Sequence, residues 1–254
     1  MDSRLELLLS QIHQRKYCAL IGNATVGLCL ALKAHGLEGK KVAISNGVCP
    51  NVPLSVYLAG ATPVYLDISR ENLGLSLGEL KNAPEIEAVI AVHAYGVPCA
   101  IAELETYCSE KGIILIEDMA VAQGATIHAR PVGSFGSVSV VSFGVGKVVD
   151  VGSGGAILTD DIELYQTITG LNSQLSPFEN GFLQISSEMM NYHTKLYNEV
   201  YLKRQYHQLP DLFKQYALDA GPSFLYQFAS NKLEKEIYFK LQGLKELIQG
   251  RQDK

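Results

Sequence analysis

The 254-residue sequence is 47% apolar, and its 21 basic and 26 acidic residues leave a net charge of −5 with no basic run longer than a pair such as Lys40-Lys41 or Lys203-Arg204. That excludes the basic footprint of a nucleic-acid binder. Five cysteines (Cys18, Cys29, Cys49, Cys99, Cys108) form no C-x-x-C pair and are odd in number, which argues against a disulfide framework or a structural zinc and for a reducing compartment. The apolar stretch near the start is too short for a secretion signal or a membrane span, so a cytoplasmic protein is expected.

In chain order, β-rich runs are read at 18–22, 42–45, 63–68, 88–94, 112–117, 138–143 and 155–159. Several, such as AVIAVHAY and GIILIED, are continuously apolar, as expected of strands covered by helices on both faces. Helical spacing places helices at 24–35, stopped by Gly36, and at 76–82 and 101–111. The alternation predicts a three-layer α/β/α domain over residues 1–172, with a mostly parallel seven-stranded sheet. From 173 to 254 strand signals vanish and a helical segment is expected, broken by loops at 176–182 and 221–224.

Two features fall just past strand ends, where open α/β sheets bind ligands. Asp118 follows the apolar run Ile113–Ile116 and Glu117, and its charge needs a partner, either a ligand or a structural cap. In S-F-G-V-G-K-V-V-D-V-G-S-G-G, residues 142–155, Lys147 stands alone among apolar residues and glycines. Desolvation there lowers a lysine pKa, which suits a Schiff-base nucleophile, and a glycine-rich surface loop is the plainer alternative. It is not a P-loop, since G-x-x-x-x-G-K-[ST] is absent. A third element, G-N-A-T at 22–25, places the amides of Asn23 and Ala24 at a helix N-terminus, where a phosphate would fit and an ordinary N-cap would fit as well.

Taken in order, these residues resemble the DegT/DnrJ/EryC1/StrS sugar aminotransferase family, of aspartate aminotransferase (fold type I) architecture. The resemblance covers roughly residues 15–172. It rests on Gly22-Asn23-Ala24, on Gly60-Ala61-Thr62-Pro63-Val64-Tyr65-Leu66-Asp67-Ile68, on Val92-His93-Ala94-Tyr95-Gly96, on Ile116 through Ala125, and on S-F-x-x-x-K-x-x-x-x-G-x-G-G at 142–155. It implies a pyridoxal 5′-phosphate (PLP) enzyme that moves an amino group from an amino acid, glutamate first, to a nucleotide-linked keto sugar, and a homodimer. Lys147 would hold the cofactor as a Schiff base and carry the proton. Asp118 would pair with the pyridine nitrogen, and Ser142 with the Asn23 and Ala24 amides would hold the phosphate.

Some positions depart from the family pattern. Val121 replaces the His or Gln expected near the ring hydroxyl, with Gln123 as a possible substitute, and Cys49 stands where many members stack an aromatic ring. His93, ending a buried strand, is read as a satisfied core residue. The last stretch, EIYFKLQGLKELIQGRQDK, resembles the helix leading into the family's small C-terminal domain, whose strands the sequence does not show. The second reading is therefore a catalytically silent homologue or partner subunit that keeps the fold. Retention of Lys147, Asp118 and Ser142 weighs against it, and a lysine at 147 favours transamination over sugar dehydration.

Overall fold

The computed structural model describes residues 3–177, 191, 194–195, 198, 202–204, 209–219, 225–228 and 231–252. Most of the loop expected at 176–182, and all of that at 221–224, lie outside them. The chain begins with α1 (Arg4–His13), whose start is fixed by a capping box between Ser3 and Glu6. There follow β1 (Tyr17–Ile21), α2 (Ala24–Ala34), β2 (Lys41–Ser45), α3 (Asn51–Leu58), β3 (Thr62–Leu66), α4 (Leu77–Asn82) and β4 (Ala88–Val92). Next come α5 (Ile101–Lys111), β5 (Ile114–Asp118), a hairpin of β6 (Thr126–Ile127) and β7 (Arg130–Pro131), then β8 (Val138–Ser142), β9 (Gly155–Thr159) and α6 (Ile162–Ser173). Two further helices are described, α7 (Leu209–Asp219) and α8 (Asn231–Gln252).

Seven strands form one sheet in the order β1-β9-β8-β5-β4-β2-β3. Only β9 runs antiparallel to its neighbours, so the expected mostly parallel sheet is present. Its strands bury alternate residues on two faces, which explains their unbroken apolar runs. Val42, Ile44, Ile90, Ile116, Val140 and Ile157 enter the core shared with α2, α3 and α6. Ala43, Val89, Ala91 and Leu115 face the core of α4 and α5. Cys18, Val141, Ala156 and Leu158 pack against Leu5 and Leu9 of α1 and Ile237 and Leu241 of α8. Helix α2 is apolar all round, and Gly27 lets it approach the sheet, since a Cβ there would lie 2.6 Å from Ile21 Cδ1.

Strand ends differ from the sequence reading where backbone chirality decides them. Gly112 ends α5 in the left-handed conformation (φ 66°), so β5 starts at Ile114, not 112, and runs through Asp118. Strand β4 stops at Val92 because the chain turns at Tyr95 (φ 54°) in a short 3-10 turn, Ala94–Gly96. The β6–β7 hairpin turns on His128 (φ 49°) and Ala129 (φ 63°), without the Asn-Gly signal that would announce it.

Behind the sheet, His13 is buried, with Nδ1–H donating to the Val132 carbonyl at 2.9 Å and Nε2 without a partner among the described residues. Burial lowers its pKa, against smaller upward contributions from that bond and from Glu117. The unfolded chain therefore binds the proton more readily. His13 contributes stability that is complete above about pH 6.5 and is lost as pH falls below it towards the lowered folded value. We expect His13→Asn, which keeps a donor for Val132 without titrating, to flatten the decline of urea-unfolding stability between about pH 7 and 5. An equal slope in both proteins would remove His13 from the acid transition.

Candidate active site

The sheet order brings the carboxyl ends of β1, β8, β5 and β4 to one edge. Antiparallel β9 starts between two of them, with Gly155 paired to Ile21 on one side and Ser142 on the other. A Cβ at Gly155 would meet Val141 O at 2.7 Å, Asn23 C at 3.1 Å and Ala24 N at 3.2 Å, so glycine is what lets the start of α2 close on the end of β8. Asn23 caps α2 by accepting from Val26 N at 3.0 Å. By position, the first-turn amides of α2 have no carbonyl within the helix. Ser142 is buried, and its Oγ accepts from Gly144 N at 3.3 Å.

Asp118 is 5% exposed and its Oδ1 accepts from Ala120 N at 2.9 Å. Burial pushes its pKa up, opposed by the Ala120 amide and by the charge of Lys147. Lys147 and Asp118 are thus within electrostatic reach of each other. Lys147 itself is half-buried, a correction to the desolvated lysine expected from its apolar neighbours. Two of those neighbours, Val145 (75% exposed) and Val148 (48%), face outward. Among the described residues no hydrogen bond or ion pair engages its ammonium.

Gln123 is buried, and neither amide atom has a partner among the described residues. Val121, two residues before it, is partly exposed. Cys49 is exposed and lies beyond β2, separated from β5 by β4 in the sheet order. His93 is fully buried: Cys99 N–H donates to Nδ1 at 3.1 Å and Nε2 lies 2.9 Å from Glu117 Oε1. The amide at Nδ1 requires a lone pair there, so the ring carries its proton on Nε2 and donates it to the carboxylate. Both nitrogens are occupied, as a core histidine requires.

Sequence reasoning passed over two carboxylates. Glu117, fully buried, accepts from the amides of Gly133, Phe135 and Gly136 besides His93. Burial pushes its pKa up, but His93 and those amides outweigh it and the net shift is downward. With Arg15, whose guanidinium donates to the Gly133 and Gly136 carbonyls, it locks the 133–136 turn under β5. Asp150 binds the amides of Gly146 and Gly152 at 2.7 and 2.9 Å; its signal was the D-x-G spacing of a side-chain-closed turn.

A groove of about 540 Å³, lined in part by His35, Lys40, Lys81, Tyr107 and Lys111, lies among residues preceding β2, β4 and β5, at the opposite end of the sheet. None of the candidate site residues lines it. No group of three or more metal-ligating side chains occurs among the described residues. No described helix is long and apolar enough to cross a membrane.

Sheet order and the side chains at its carboxyl edge define an α/β domain of the aminotransferase type. The aminotransferase from Psychrobacter cryohalolentis superposes with a TM-score of 0.66 at 26% identity, over 69% of this chain and 45% of that one. DesI, solved in the presence of its TDP-sugar product, superposes at 0.63 with 33% identity, over 66% and 43%. The profile of the DegT/DnrJ/EryC1/StrS aminotransferase family matches residues 2–200, and the chain belongs to that family. GDP-perosamine synthase of Vibrio cholerae is 34% identical over 160 residues, which are 62% of this chain and 44% of that protein. The chain spans less than half the length of curated relatives such as the GDP-perosamine synthases that it matches.

Proposed function

We propose that this chain binds PLP on Lys147 and serves the transfer of an amino group from an amino acid, glutamate first, to the keto carbon of a nucleotide-linked sugar. The observation that carries the reading is the buried Asp118 carboxylate, raised by desolvation and lying within electrostatic reach of Lys147. A bound pyridinium would supply the cation this carboxylate lacks. The unpartnered Gln123 amide is the second sign of fit, because a buried amide without partners is costly and a ring hydroxyl would satisfy it. The sugar class is supported by relatives named for nucleotide sugars, GDP-perosamine synthase and DesI with its TDP-sugar product.

When bound, PLP supplies an electron sink for negative charge developing at the substrate carbon. The chain's residues do the rest. Asp118 would hold a proton on the pyridine nitrogen, Ser142 Oγ and the amides of Asn23 and Ala24 would hold the phosphate, and Cys49 would offer a polarizable contact to the ring. Lys147 Nζ would take the PLP aldehyde carbon with loss of water and, once the incoming amine has displaced it, would accept and return the proton at the substrate carbon. The reading includes a second copy of the chain, supported by the outward apolar side chains Tyr95, Val97, Val145 and Val148 in the turn after β4 and the Lys147 loop. The five cysteines, none of them in a disulfide, accord with a reducing cytoplasm.

The test is the absorbance spectrum of the purified chain with PLP, before and after borohydride reduction, with mass mapping of the modified peptide. A reducible adduct on Lys147 supports the reading. A folded chain that forms none would put the silent homologue ahead.

A further inference from the structure

The loop that carries Lys147 is poorly suited to hold a side chain still. It contains Gly144, Gly146, Gly152 and Gly154, the last three at positive φ (76°, 85° and 97°), and glycine loses the most conformational freedom on ordering. A reacting group needs its geometry fixed by surrounding contacts. Two sets of contacts do this, and both come from residues with no place in the chemistry.

The first is Asp150. Its Oδ2 accepts from Gly146 N at 2.7 Å and its Oδ1 from Gly152 N at 2.9 Å, so one carboxylate closes the loop around Lys147 from both sides. Both bonds are charge-assisted, and the two amides hold the carboxyl below its ordinary pKa. The second set comes from the far end of the chain. The ammonium of Lys240 on α8 donates to the Asp150 carbonyl, one turn from its ion pair with Glu236 at 3.3 Å. Val149, 2% exposed, packs in the same core cluster as Ile237 and Leu241 of α8. Burying those two side chains helps dock the helix against the loop.

Just before α8 the chain presses on both glycine turns that border the loop. A Cβ at Gly22 would lie 2.0 Å from the Tyr226 carbonyl oxygen, and one at Gly154 would lie 2.9 Å from Phe228 Cε2. The two turns are tied to each other, since Gly154 N donates to Gly22 O at 3.1 Å. Gln227 anchors the segment between these contacts, with its side chain donating to the carbonyls of Ser173 and Leu175 at the end of α6.

We propose that residues 225–228 and helix α8 position Lys147, acting through Asp150 as the positioning residue that ties the loop to α8. This rests on the reading that Lys147 takes the PLP aldehyde. It gives the segment a task within the cofactor site itself, apart from any domain that follows it.

The experiment compares the full chain with Asp150→Ala, Asp150→Asn and Lys240→Met in two measurements. One is amide hydrogen exchange without PLP, and the other is the apparent PLP affinity read from the borohydride-reducible adduct. In Asp150→Ala, exchange at Gly146 and Gly152 is expected to rise about tenfold, with 138–142 unchanged, and PLP affinity to fall about tenfold. Asp150→Asn, which keeps one acceptor, recovers part of both effects, and Lys240→Met speeds exchange in the same loop. Unchanged exchange in the loop, or a rise shared equally by 138–142, overturns the proposal. If the unaltered chain forms no adduct on Lys147, the cofactor reading fails, and the exchange measurement still decides whether Asp150 and Lys240 order the loop.

Discussion

Lys147→Ala is expected to give a folded protein that no longer forms a borohydride-reducible adduct with PLP. Amino transfer should fall by at least about 10²–10⁴-fold, the range for removing a positioned proton-transfer group, with the loss of covalent attachment added to it. The fold should survive because the lysine ammonium makes no bond to the described residues and the side chain is only half-buried. Substitution of such a surface group usually changes stability by less than about 0.5 kcal/mol. Lys147→Arg sharpens the test: it keeps a positive charge near Asp118 but has no primary amine. Loss of the adduct in both variants with unchanged thermal unfolding assigns the bond to the Lys147 nitrogen. An adduct that persists on another lysine would place the cofactor elsewhere.

The fold was legible wherever the hydrophobic pattern alone determines it. The seven sheet strands, the helices at 24–35, 76–82 and 101–111 and the layered arrangement follow from apolar runs such as AVIAV and ILI, which have no polar face to leave in water. Helix α3 escaped because NVPLSVYL has no cap, no polar stripe and a proline in its first turn, all of which blur helical periodicity. Helix α6 escaped for a related reason. Its Ile and Thr residues read as β-branched strand material, and its start is set by one capping residue, Asp161.

The candidate site was legible residue by residue but not in its electrostatics. Asp118, Ser142, Asn23 and Lys147 fall at one edge because their strands are neighbours, which an ordered set of motifs can convey. Which of them is dry cannot be read from near neighbours in the chain. Lys147 sits among valines and is only half-buried because two of them face out, whereas Asp118 follows an acidic residue and is dry because the sheet and its helices close around it. The role of Glu117 depends on backbone amides brought round by a turn 16 to 19 residues on, of which side-chain identity carries no record, whereas Asp150 left only the short D-x-G spacing.

Asp118→Asn is expected to act in opposite directions with and without cofactor. In the cofactor-free protein burial raises the Asp118 pKa above its ordinary 3.8, so the folded state holds this proton more tightly than the unfolded chain does. The contribution is stabilising below that ordinary value and becomes a cost as pH rises through the folded pKa. Asparagine keeps the acceptor for Ala120 N and never ionises, so at neutral pH the cofactor-free variant should melt above the parent, with the gap closing in acid. PLP reverses the order. The variant loses a hydrogen bond between charged partners, worth about 1.5–3 kcal/mol, and PLP affinity should fall by about ten- to a hundredfold. The proton on the pyridine nitrogen would also lose its counter-charge, so amino transfer should slow beyond the loss in affinity. Thermal melts at two pH values, each with and without PLP, separate these contributions. If the parent is the more stable protein at neutral pH without PLP, the Asp118 charge already has its partner within the chain, and the argument that it awaits a bound cation fails.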